Sequence, residues 1–318
     1  MGAACVTLAA IALYAVFGGA DFGGGVWDLL ARGPRAREQR AAITHAIGPV
    51  WEANHVWLIF ALVTFFTCFP PAFADVASRL NAPLTLALLG IVLRGAAFVF
   101  RNYADDVSPL AQGWTVVFGA ASLIAPFFLG DAVGAIAAGD YAWASPFALS
   151  VGLFAVALCA QVAAVFLLRE THGALHDDFR RRAIAATLAV WVLGALPTVL
   201  AWRSVPRLVT ALHDPAARVA VAVAFVLGLV VLALVVSGRH RSARVAVGAE
   251  VVAVLGGWFG GQAPELVPGH WTLASAAAPT ATLTAYLIAA AAGSVLLIPS
   301  MLLLYLVFKG PGADVGTS

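Results

Sequence analysis

Charge is what this 318-residue sequence has least of: 11% of its residues are charged and 62% are hydrophobic, with a mean hydropathy of +0.94. A soluble domain carries about 25% charged residues, and so few charges cannot cover the surface of a water-soluble globule this large. A net charge of +2 gives no basic face for nucleic acid. Cysteine is scarce as well. Cys5, Cys68 and Cys159 lie far apart in apolar stretches without a CxxC pair, so neither a disulfide framework nor a zinc site is indicated. Haem ligands are equally thin. The two methionines are Met1 and Met301, and of seven histidines only His55 lies clearly inside an apolar run, with His45 at an edge. One candidate ligand cannot hold several haems. There is no Walker motif, no GxGxxG at a strand–helix turn and no HExxH. No catalytic, cofactor-binding or metal-ligating set is therefore read in this chain. No Lys or Arg precedes the first apolar run, so that run is read as a retained helix rather than a cleaved signal.

Long hydrophobic runs are what the sequence has in abundance. Crossing about 30 Å of hydrocarbon takes about 20 apolar residues in a helix. Runs of that kind cover residues 3–27, 47–69, 82–101, 113–137, 146–168, 183–203, 216–236, 245–263 and 281–308. They are continuous rather than alternating, which predicts helices and not a barrel. The expectation is an all-α integral membrane protein of about nine transmembrane helices, with one polytopic domain over 1–309 and a disordered tail over 310–318. Thirteen basic residues fall on one side of these spans, in the stretches 32–40, 169–182 and 239–244 with Arg101 and Lys309. Four fall on the other: Arg79, Arg203, Arg207 and Arg218. The positive-inside rule then puts the N-terminus outside and the C-terminus in the cytoplasm.

Ionisable residues inside spans cost roughly 2.5–3.5 kcal/mol each at a helix centre and are functional candidates by default. The first span closes on GGADFGGGVWD, where glycines permit close helix approach around Asp21. Asp28, nearer the edge, is read as a solvated end charge. The second span opens GPVWEANHVW, and Trp51, Glu52 and His55 share one helical face beside Asn54. Glu52 can carry protons and His55 titrates near neutral pH, while Trp51 and Trp57 suit interfacial anchoring. Arg94, Phe98 and Arg101 line one face of the third span. Arg101 can snorkel to the cytoplasmic edge, but Arg94 lies almost two turns deeper and needs a carboxylate, for which Asp21 and Glu52 are the expected donors. Charge counting places Asp21, Glu52, Arg94 and Glu250 together in the cytoplasmic half and predicts a proton inlet there. Trp258 and Gln262 close the eighth span near the outer face. Asp131 is read as structural.

Several stretches resemble one family in order and spacing. They are YAVFGGADFGGGVWDL from Tyr14 to Leu29, IGPVWEANHVWLI from Ile47 to Ile59, LRGAAFVFR from Leu93 to Arg101, GGWFGGQAPELVP from Gly256 to Pro268, and LLYLVFK from Leu303 to Lys309. The chain resembles subunit II of the cytochrome bd quinol oxidases along nearly its whole length. That resemblance implies two four-helix bundles plus a peripheral helix in a bacterial plasma membrane, with the N-terminus outside. It implies a heterodimer with a homologous subunit I that holds haems b558, b595 and d and the quinol site. The complex would oxidise quinol and reduce dioxygen to water with cytoplasmic protons, without pumping. It leaves room for a structural quinone and a small accessory subunit. The carboxylates matching Asp21 and Glu52 are associated in the family with proton delivery, and the tryptophan matching Trp57 with oxygen access. His55 stands where other members carry Gln or Glu. Val99 stands where many carry an acid, which removes one partner for Arg101.

Two other readings fit the same residues. Intramembrane acids, a buried arginine and glycine breaks suit a proton-coupled secondary transporter. A purely structural partner would use its polar residues only to fix helix packing.

Overall fold

The computed structural model describes residues 1–48, 51–103, 109–211 and 215–309. The predicted tail over 310–318 lies outside the described residues. Twelve helices make up almost all of the rest: α1 (Gly2–Leu29), α2 (Ala36–Ile47), α3 (Trp51–Cys68), α4 (Pro70–Arg79), α5 (Asn81–Tyr103), α6 (Pro109–Ala138), α7 (Pro146–Leu167), α8 (Gly173–Ser204), α9 (Pro206–Ala211), α10 (Pro215–Val236), α11 (His240–Gln262) and α12 (Thr280–Lys309). A small antiparallel pair, β1 (Glu265–Val267) and β2 (Trp271–Thr272), joins α11 to α12.

Eight helices are long and apolar enough to cross a membrane, and a ninth span is counted if the bent pair α3–α4 is taken as one. The second expected span thus differs most from the sequence reading. Its start belongs partly to the separate helix α2, and its end turns by 117° into α4. The turn falls on Pro70-Pro71, whose fixed φ and missing N–H suit the first turn of a new helix and not the interior of an old one. α8 also starts ten residues earlier than the apolar run over 183–203. In its first turns Asp178 pairs with Arg35 at 2.7 Å and with Arg181 at 2.9 Å.

Packing explains the glycine-rich end of α1. A Cβ on Gly23 would run into the Cys159 carbonyl of α7, and one on Gly25 into the Ser122 hydroxyl of α6. Without side chains there, α1 seats between α6 and α7 at backbone distance, the close approach that membrane helices use in place of hydrophobic burial. α3 packs on the other side of α1, and α5 on α6. α7, α8, α10 and α11 close a second ring of contacts, joined to the first group through α1 and α6 against α7. α12 is peripheral. None of its apolar stretch is buried, and its anchor is the Tyr286 hydroxyl bonded to Thr64 of α3.

Candidate functional site

The deepest polar group lies where α1, α3 and α5 meet. Asp21 is 2% exposed and Arg94 1%. The Asn54 amide donates to the Asp21 carboxylate at 2.7 Å and approaches the Phe17 carbonyl at 3.4 Å. Arg94 reaches the same turn of α1, but donates to the Asp21 backbone carbonyl at 3.0 Å. The expected acceptor was a carboxylate oxygen. The guanidinium is held between the rings of Phe22 and Phe118, 5.3 and 5.1 Å from their centroids, a geometry that partly offsets its desolvation. His55 is one residue along α3. Its imidazole sits among Tyr14, Phe22 and Trp51 with centroids 5.9 to 6.2 Å away, and its buried Nδ1 has no hydrogen-bond partner among the described residues. The Glu52 side chain lies outside the described residues.

A second polar group sits at the arginine-rich end of α1. Asp28 is 0% exposed, so the reading of a solvated end charge is corrected. Arg101 donates to its carboxylate at 2.9 Å and to the Thr44 hydroxyl at 2.6 Å. Arg40 stands 3.7 Å from the other carboxylate oxygen. One element the apolar runs do not show, α2, makes this burial possible by bringing Arg40 and Thr44 to the end of α1. Arg101 reaches inward to Asp28 where snorkelling was expected.

The grouping of Glu250 with Asp21 and Arg94 is also corrected. Glu250 is 2% exposed and accepts from the Gln161 amide of α7 at 3.0 Å, which also donates to Thr187 of α8 at 3.2 Å. Charge counting fixes the depth of a residue but not its direction around the helix, and Glu250 faces the second ring of helices. Gln161 and Thr187 were missed because each is a lone polar residue in an apolar run. Asp131, read as structural, lies in α6. It is 0% exposed, and neither carboxylate oxygen has a hydrogen-bond partner among the described residues. The available signal was its place between Gly130 and Gly134, which carry α6 close to α7.

Of the four remaining candidates, only Trp51 touches the first polar group, through the His55 ring at 6.2 Å. Trp51 packs on Phe98 at 5.5 Å. Trp57 packs with Tyr14, Phe22 and Ala125. Trp258 packs beside Phe147 and Ala201, with its indole N–H buried and without a partner among the described residues, as is the Gln262 amide nitrogen.

The profile of the family described as cytochrome bd terminal oxidase subunit II matches residues 2–308. The chain belongs to that family. Membership sets the transporter reading aside. A cytochrome bd ubiquinol oxidase subunit 2 of Bacillus subtilis is 31% identical over 180 residues, covering 50% of this chain and 53% of its own length. A cytochrome bd-I ubiquinol oxidase subunit 2 of Escherichia coli is 29% identical over 203 residues, covering 58% and 52%. The chain thus spans about half the length of the curated relatives it matches. A chain of the bd oxidase structure from Geobacillus thermodenitrificans shares the fold with a TM-score of 0.82, at 21% identity, over 97% of this chain and 98% of that one. The chain is a multi-pass helical membrane protein of the bd oxidase subunit II family.

Proposed function

We propose that this chain is the subunit of a bacterial plasma-membrane quinol oxidase that ligates no haem itself, and that it delivers protons toward haems held by a partner subunit I. The observation that carries the reading is the hydrogen bond from Asn54 to Asp21, buried beside Arg94, at the α1 carboxylate whose counterpart the family associates with proton delivery.

Among the described residues, the intramembrane imidazole of His55 is walled by the rings of Tyr14, Phe22 and Trp51. Haem in the partner would supply the electron transfer and oxygen chemistry. What this chain's own residues do is hold and pass a proton. Asn54 can only orient, since its amide is not a proton acceptor at neutral pH. Asp21 is the group that can bind a proton, and Arg94 holds its turn of α1 in place by donating to the Asp21 backbone carbonyl. Glu52, two residues before Asn54 on α3, and His55 extend the set of carriers along that helix. Thirteen basic residues at one end give the side from which protons are taken, with the N-terminus on the other. The two rings of helices with peripheral α12 form the two bundles, and Trp57, on the Tyr14 and Phe22 side, lines oxygen access. A structural quinone and a small accessory subunit are compatible with this reading.

The test is to make Asp21→Asn and Glu52→Gln in the intact complex and measure quinol-driven oxygen consumption alongside haem spectra. Slowed turnover with unchanged haem content is the expected result. Unchanged turnover in both variants overturns the proton role.

A further inference from the structure

A cavity of about 560 Å³ opens at the arginine-rich end of the second ring of helices. Arg169, His172, His176, Arg239, His240 and Arg241 line it, and no carboxylate does. It forms where four chain ends converge: α7 leaves, α8 begins, α10 ends and α11 begins. The neighbouring cations are already engaged. Arg180 caps α10 by donating to the carbonyls of Val235 and Val236 at 3.3 and 2.7 Å, and Arg244 faces Glu170 at 3.8 Å. Arg169, Arg239 and Arg241 make no ion pair among the described residues. His176 points Nδ1 at the Leu168 carbonyl at 3.0 Å, which makes that nitrogen the donor and leaves Nε2 available. The His176 and His240 rings lie 4.6 Å apart, and His240 Nδ1 is without a partner among the described residues. Neither α8 nor α11 has a side-chain cap, so their first N–H groups are free to donate here, while the C-terminal ends of α7 and α10 offset the two helix dipoles.

Three guanidiniums around one space, with no carboxylate among its lining residues, repel each other unless an anion is present. We infer that this cavity binds a phosphate group, and that its source is the headgroup of an anionic lipid. The site lies at the ends of apolar spans, at headgroup depth, and basic pockets between transmembrane helices are where such headgroups dock. Helix N-termini with arginines supply the donors that phosphate oxygens need. The inference does not depend on the oxidase reading.

The experiment uses the chain purified in mild detergent with its co-purifying subunits, delipidated and titrated with phosphatidylglycerol or phosphatidylcholine under native mass spectrometry. The wild type is expected to retain phosphatidylglycerol over phosphatidylcholine. The pair Arg239→Gln with Arg241→Gln should weaken that retention about 30-fold, taking each arginine near a charged lipid surface at about fivefold. The pair Arg239→Lys with Arg241→Lys controls for misfolding and should keep most of the affinity. Equal retention by the wild type and the glutamine pair, or equal binding of the two lipids, overturns the proposal. Protection from thermal unfolding by inorganic phosphate, lost in the glutamine pair and without lipid selectivity, overturns the lipid source and assigns a soluble phosphate.

Discussion

Asp28 and Arg101 should behave as one energetic unit. Their side chains are 0% and 9% exposed and their charged atoms are 2.9 Å apart. Two unit charges about 4 Å apart at an effective dielectric of about 20 attract by about 4 kcal/mol. Arg101 gains further from Thr44 at 2.6 Å and from the Phe118 ring, 4.3 Å from its centroid. Asp28→Asn leaves that arginine buried without its carboxylate, and Arg101→Gln leaves the acid with only Arg40 at 3.7 Å, a long contact from a side chain 41% exposed. Breaking a buried pair from either side costs about 3–5 kcal/mol. Removing both charges also removes both desolvation penalties, so the double variant should cost no more than either single one. The coupling would be at least about 3 kcal/mol, the upper end of what contacting pairs show. The assay is unfolding by dodecyl sulfate in mixed micelles, followed by tryptophan fluorescence, on all four proteins. Additive losses would refute the reasoning and would mean that water or another cation already screens the pair.

Arg94→Ala removes a fully buried cation from between two rings and should lower assembled yield, at a cost of about 3–5 kcal/mol; normal yield and thermal stability would count against it. Gly23→Val places side-chain atoms in the Cys159 carbonyl and should separate α1 from α7, read as loss of folded protein on size exclusion, with overpacking of about 1–3 kcal/mol as a lower bound. At the opposite end of the molecule, burial raises the Asp75 carboxyl, but hydrogen bonds from Tyr141, Arg79 and Trp271 more than reverse it and hold the group below the ordinary carboxylate range. A depressed folded value stabilises above the unfolded value of about 3.9 and is lost as pH falls through the folded one. The wild type should therefore lose thermal stability below about pH 4 more steeply than Asp75→Asn, and parallel curves would contradict this.

Hydrophobic runs made the long helices legible because a span needs only length and apolarity, both local properties. The short elements were not legible for the opposite reason. α2, α4 and the β1–β2 pair take their places from partners far along the chain, such as Tyr141 and Trp271 bonded to Asp75. Asp21, Asn54 and Arg94 were readable as candidates because polar groups stand out in apolar runs. Their actual bonding was not, since whether Arg94 meets a carboxylate or a carbonyl depends on how α1 and α5 are rotated. The same rotation turned Glu250 toward Gln161 and brought Arg101 inward to Asp28, neither of which charge counting can see.

The central claim is that this chain works beside a haem-bearing subunit. The direct measurement is a gentle detergent pull-down of the tagged chain from its native membrane, followed by a reduced-minus-oxidised optical spectrum. The account predicts a second polypeptide with b- and d-type haem bands. A colourless preparation of this chain alone, from membranes that keep their bd signal, would contradict it.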